Sequence, residues 1–233
     1  MRQAALMRGN LGRSGRAPRR ARGSRALVPL VLLLGAGCEN RLVAYEGGVM
    51  LADADQVGPA QPGPRLVVRE AGDDAALALP TTGPVRVAIE RQVPWRRVRA
   101  LLHRLDGGAV PYQLLVGNRD DVRTFVLSQP VGDQPSIELR AYGNGQFCIR
   151  PPESAEAYCV QGAGGHIPRA FVRETLREAV KAYQLTNVTA LLDPDMQWAD
   201  AVRAIDGART CCPGQPLQVA VGNRQPPAPT AAE

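Results

Sequence analysis

Aromatic side chains are scarce in this sequence, at 4%. That scarcity argues against a protein that grips single-stranded nucleic acid by stacking bases on rings. Histidine occurs only at His103 and His166, too few for a histidine-built metal site. The five cysteines contain no Cys-x-x-Cys spacing, which removes support for a zinc knuckle or a thioredoxin-like motif. No serine sits in a Gly-x-Ser-x-Gly elbow, and no catalytic Cys-His pairing is visible from spacing. Gly162-Ala163-Gly164-Gly165 lacks both a following Gly-Lys-Ser/Thr and a glycine at Ile167, so it reads as a hinge and not as a phosphate loop. The sequence therefore predicts no enzyme, no cofactor and no metal.

Charge of one sign is missing from the start of the chain. Residues 1–37 hold eight arginines and no acid, and from Cys38 onward 20 basic residues face 22 acidic ones. The overall formal charge of +6 thus belongs to the leader, and the near-neutral body gives no electrostatic support for nucleic-acid binding.

The leader also lacks the length of a membrane span. Ala26 to Leu34 is apolar and runs into Gly35-Ala36-Gly37-Cys38, well short of the about 20 residues a spanning helix needs. A basic start, a short apolar core and small residues before a cleavage point predict a signal peptide over 1–37. The cysteine after those small residues resembles the bacterial lipobox, with Gly35 where leucine is usual, which implies lipidation at Cys38. Glu39 follows it, and lipoproteins retained at the inner membrane carry an aspartate there, so the resemblance favours the outer membrane. Export places the other four cysteines, Cys148, Cys159, Cys211 and Cys212, in a compartment that permits disulfides.

Residues 38–64 have the Gly, Pro and scattered acids of a tether, and 224–233 have the composition of a disordered tail. Between them an internal repeat organises the chain. Val85-Arg86-Val87-Ala88-Ile89 and Val188-Thr189-Ala190-Leu191-Leu192 each break into polar residues and arrive at a tryptophan, Trp95 and Trp198. Helical stripes follow, Val98, Leu101, Leu102 and Leu105 in one copy, Ala201, Val202, Ile205 and Ala208 in the other. Each helix leads to a strand ending in Val-Gly-Asn-Arg. Both copies predict a parallel strand–helix–strand crossover, and the matching tryptophans predict structural packing at two helix starts.

The second copy has a fuller prelude: an alternating strand over 137–142, an Asn-Gly turn at 144–145, return strands around Cys148 and Cys159, and a helix from about Pro168 to Tyr183. Phe171, Val172, Leu176, Ala179, Val180 and Tyr183 form its expected buried side. Before the first copy, 66–68 and 77–79 predict a hairpin. The fold class is α+β, with two small tandem domains, 65–128 and 134–223, each a mixed sheet with helices on one face.

Pairing Cys148 opposite Cys159 sets Phe147 against Val160 and Ile149 against Tyr158, with every apolar side chain on one face and both sulfurs on the other. A disulfide between them is the expected arrangement, with Cys211 and Cys212 as an adjacent pair or free thiols. The alternative bonds each strand cysteine to one of the latter two. Asp193, Asp195, Asp200 and Asp206 lack calcium-loop spacing, and three of them flank or cap a helix start.

Residues 134–223 resemble the periplasmic domain of the ExbD/TolR biopolymer-transport family. The resemblance rests on the order of elements and on Leu191-Leu192-Asp193-Pro194-Asp195-Met196-Gln197-Trp198, followed by a helix with a small-apolar stripe; residues 85–117 resemble the latter half of such a domain. It implies an envelope location facing the periplasm, contacts with envelope proteins or peptidoglycan, and a homodimer by analogy. The family's transmembrane aspartate has no counterpart here, so the proton-driven role is not carried over. Three functions are compatible with the sequence: a non-enzymatic lipid-anchored binding protein, for which the resemblance implies a tie to biopolymer transport; an accessory subunit of an ExbB/ExbD-type transporter; and a thiol-redox protein using Cys211-Cys212.

Overall fold

Strands form where branched apolar residues can be buried on both faces of a sheet, and Val85, Val87, Ala88 and Ile89 all are. The computed structural model describes residues 43–72, 78–80, 83–130, 135–215, 217–222 and 226. In chain order the first elements are β1 (Tyr45–Glu46), β2 (Val49–Met50), β3 (Gly58–Pro59), β4 (Arg65–Val68), β5 (Val85–Ile89) and α1 (Trp95–Gly107). Next come β6 (Tyr112–Asn118), β7 (Asp121–Phe125), β8 (Ser136–Ala141), β9 (Gln146–Arg150) and β10 (Tyr158–Gln161). A 3-10 turn (Ala163–Gly165), α2 (Arg169–Tyr183), β11 (Asn187–Leu192), α3 (Trp198–Arg209) and β12 (Gln218–Val221) complete the chain.

The elements make two mixed five-stranded sheets, ordered β3-β7-β6-β5-β4 and β10-β9-β8-β11-β12. Each is built on three parallel strands around a crossover helix: β4, β5 and β6 with α1, and β8, β11 and β12 with α3. In the first sheet β7 runs antiparallel to β6 and β3 antiparallel to β7; in the second β9 runs antiparallel to β8 and β10 antiparallel to β9. Apolar residues from both sheets and all three helices join in one core, and the described residues form a single compact unit.

Three local expectations are corrected. Residues 66–68 do not form a hairpin with 77–79: β4 runs parallel to β5, with Leu66 opposite Val87, and 73–77 lie outside the described residues. On α2, Val172, Leu176 and Val180 are buried, but Phe171 and Tyr183 are exposed, because the helix meets the body along a single narrow stripe. Residues 43–64 are not a loose tether. Ala44, Val49, Leu51, Ala52 and Ala54 are buried, and Ala44, Val49 and Leu51 cover the outer face of the first sheet at Ala88 and Leu115. The chain reaches that position through the β1–β2 turn, where Gly47 and Gly48 both hold positive φ. Residues 1–42, including Cys38, and 224–233 apart from Pro226 lie outside the described residues. Among the described residues no helix is long and apolar enough to cross a membrane.

Candidate functional site: a two-fold joint, a strap and a groove

The two crossover units meet where their helices begin. Neither helix start carries a side-chain cap, although the first N–H groups of any helix lack intrahelical acceptors. Each unit supplies the acceptors for the other. Trp95 N–H donates to Met196 O and Trp198 N–H to Val93 O, both at 2.8 Å. Arg96 N–H donates to Pro194 O at 2.8 Å, and Ala199 N–H to Arg91 O at 2.9 Å. One residue offset relates 95 to 198, 93 to 196, 96 to 199 and 91 to 194, so the joint has an internal two-fold symmetry. The indole rings of Trp95 and Trp198 stack across it, and Arg96 pairs with Asp195 beside them.

This joint revises the role of the acidic residues. Asp200 lies in the first turn of α3, but its carboxylate accepts from Ile167 N–H at 3.0 Å and Arg203 Nη1 at 2.8 Å, and lies 3.2 Å from His166 Nδ1. Asp193 accepts from Asp195 N–H within its own turn. The helix start is completed by carbonyls from the other unit, and no carboxylate caps it.

Asp206 sits near the other end of α3 and is fully buried. Its two oxygens accept the N–H groups of Asp55 at 2.9 Å and Gln56 at 2.8 Å, and Arg169 Nε lies 3.1 Å away. Burial pushes the Asp206 carboxyl up, and the two N–H donors and Arg169 pull it back. Arg169 also meets Asp53 and Asp55, and Arg173 meets Asp55. Burial lowers the Arg169 guanidinium, but these three carboxylates together hold it above its usual value. Residues 51–56 are thereby strapped against α3: the segment bridges Glu90 at Leu51 and Gly117 at Asp53 and bends at Asp55 and Gln56, with Ala54 fully buried between the two acids. Arg209, one turn on from Asp206, is desolvated over the Phe125 ring at 5.4 Å and pushed down to about 10.

Phe125 also lines an open groove of about 1050 Å³ beside α1. Arg96, Arg99, His103 and Asp106 form its helical wall; Trp95, Leu102, Leu114 and Phe125 form its floor. Val126, Leu127 and Val221 make the far wall, held in place by Gln129 N–H donating to Val219 O at 2.8 Å and Val221 N–H to Ser128 Oγ at 3.1 Å. Tyr112, at one end, is pushed up to about 12 by burial and by the charge and hydrogen bond of Asp106.

Cys148 lies opposite Cys159, Phe147 opposite Val160 and Ile149 opposite Tyr158. The first pair is bonded at an S–S distance of 2.05 Å, and Cys211–Cys212 forms the second pair at 2.20 Å. The cross-links to 211–212 weighed from the sequence are not formed. Tyr158 is 65% exposed, because β10 is an edge strand and its first residue overhangs the core. The hinge expected at 162–165 is a 3-10 turn held close to Gly145, where a side chain would strike Gly165 and His166 backbone.

The strap and the groove were both missed in the sequence. The strap's legible signal was the alternation Leu51-Ala52-Asp53-Ala54-Asp55, which the composition of 38–64 obscures. Among the described residues no cluster of His, Cys, Asp and Glu is suited to a metal ion. Compared with family models, curated proteins and solved structures, the chain finds no match.

Proposed function

We propose that this chain is a lipid-anchored, non-enzymatic protein of the bacterial cell envelope that works by binding another envelope component through ExbD/TolR-like crossover units. The observation that carries the reading is the order of the second half: hairpin β8–β9, then α2, then β11–α3–β12 with parallel β8, β11 and β12. The resemblance drawn from the sequence called for that order. The bonded cysteine pairs support an oxidising compartment. Radiolabelled palmitate should enter the wild-type chain and not Cys38→Ala, and the anchored protein should retain a specific partner from envelope extracts. An unlabelled chain recovered only in the soluble fraction would sink the proposal. Co-purification with channel subunits of the inner membrane would select the accessory-subunit form of the same reading, and with it a role in biopolymer transport.

A second reading, thiol–disulfide exchange, is favoured by the bonded Cys211–Cys212 pair just beyond α3. Cys211 is buried and Cys212 is partly exposed. Reduction by a dithiol, alkylation of both freed thiols and disulfide transfer to a reduced exported substrate would support it; a pair that resists dithiothreitol in the native protein would exclude it.

A further inference from the structure

The two-fold joint makes the two crossover helices comparable position by position. By the offset that relates Trp95 to Trp198, Arg96, Arg99, His103 and Asp106 on α1 correspond to Ala199, Val202, Asp206 and Arg209 on α3. On α3 that face is buried, and its cover includes the chain's own strap, with Asp206 accepting two strap N–H groups. On α1 the same face is the open wall of the groove.

We infer that the groove beside α1 is a docking site for an extended acidic–apolar peptide segment of a partner protein, the intermolecular counterpart of the strap 51–56. The strap shows what such a face accepts: a segment bridged to strands at Leu51 and Asp53 and bent at Asp55 and Gln56, with small apolar residues buried and carboxylates held by arginines from a neighbouring helix. The α1 groove offers matching chemistry. Helix α1 carries Arg96, Arg97, Arg99, His103 and Arg104 against one acid, Asp106. Arg96 already holds the carboxylate of Asp195, so this wall recruits acids within the molecule. Opposite it, Val126 is 56% exposed at the rim, an apolar side chain placed to meet a partner's. A volume of about 1050 Å³ is at the upper limit for compact small molecules and suits an elongated occupant.

The inference rests on the binding function proposed above and is tested separately from it. The probe is a fluorescein-labelled synthetic peptide of residues 49–57, with a control in which Asp53 and Asp55 are replaced by asparagine. Anisotropy with the full chain should show binding that weakens with salt and is about tenfold tighter than for the asparagine control. Arg99→Glu and Val126→Asp, both at exposed positions, should each weaken the probe about tenfold with unchanged circular dichroism and melting, and Arg99→Lys should retain most binding. Absence of probe binding at millimolar concentration overturns the inference. So does binding that ignores Arg99→Glu and Val126→Asp but is lost in Arg173→Glu, because the probe is then exchanging with the chain's own strap. Phosphatidylglycerol vesicles that bind with the same dependence on Arg99 and Val126 also overturn it, in favour of a lipid surface. An envelope partner retained equally by wild type and Arg99→Glu rejects the groove and leaves the binding function standing. Probe binding with no envelope partner retained supports the groove and rejects that function.

Discussion

Trp95 and Trp198 stack with ring centroids 6.2 Å apart and planes within 10° of parallel, at equivalent positions of two units related by an internal two-fold axis. Phe125 meets Trp198 edge-on at 6.5 Å, so the aromatic cluster ties both sheets to the joint.

Truncating this cluster should be among the most damaging single changes. Trp198→Ala is expected to destabilise the whole unit by about 3–5 kcal/mol, read from urea denaturation. Trp198→Phe should cost less, because it keeps a ring in the stack and removes the buried Nε1–H, which has no acceptor among the described residues. The double variant with Trp95→Ala should fall short of additivity by about 0.5–1.5 kcal/mol, the range of aromatic-pair coupling. Full additivity would show that the rings do not act as a pair.

Asp206→Ala should release the strap. It leaves Arg169 with only Asp53 and Asp55 and strands the N–H groups of Asp55 and Gln56, a loss of about 1–3 kcal/mol for each donor left without an acceptor. Limited proteolysis should show faster cutting between residues 50 and 57 than in wild type. Unchanged cutting there would mean that Asp206 is not what holds the segment down.

Serine at both Cys148 and Cys159 should lower stability by about 2–3 kcal/mol, the chain-entropy value for so short a loop. Non-reducing peptide maps of the wild type should join 148 to 159. A peptide joining either residue to the 211–212 segment would contradict the register of β9 and β10.

Tyr112 should ionise above the ordinary tyrosine value. Its folded value of about 12 lies above the ordinary 10.0, so the folded state holds the phenolic proton more tightly than the unfolded chain. Its contribution to stability is complete below pH 10 and is lost as pH rises from there to about 12. Absorbance titration at 295 nm should show a late phenolate step that Tyr112→Phe removes; a variant with the same alkaline profile would refute the assignment.

The crossover units were legible because their signals are local. Period-two strands, a period-3.6 stripe and a tryptophan at each helix start all fall within a short stretch of sequence. The facing of Cys148 and Cys159 was legible for the same reason, since alternation around each cysteine restricts the register. The strap was not, because its buried residues are alanines among glycines and prolines, and their partners lie at Gly117, Arg169 and Asp206, far along the chain. The basic wall of the groove is visible as arginines in α1, but its emptiness depends on β7 and the segment after it. Phe171 and Tyr183 misled the reading of α2, because apolar identity was taken for burial where only one stripe of that helix has anything to bury against.

The reciprocal capping at the joint also sets a timetable. Helix α1 finds acceptors for its first two N–H groups, those of Trp95 and Arg96, at Met196 and Pro194, about a hundred residues downstream. A chain emerging from the amino terminus therefore carries its first crossover unit unfinished until the last third is delivered, and contacts this distant in sequence make for slow closure. Chains cut short before residue 194 should leave the Trp95 and Arg96 N–H groups without these acceptors and be cut by proteases faster than the full-length protein.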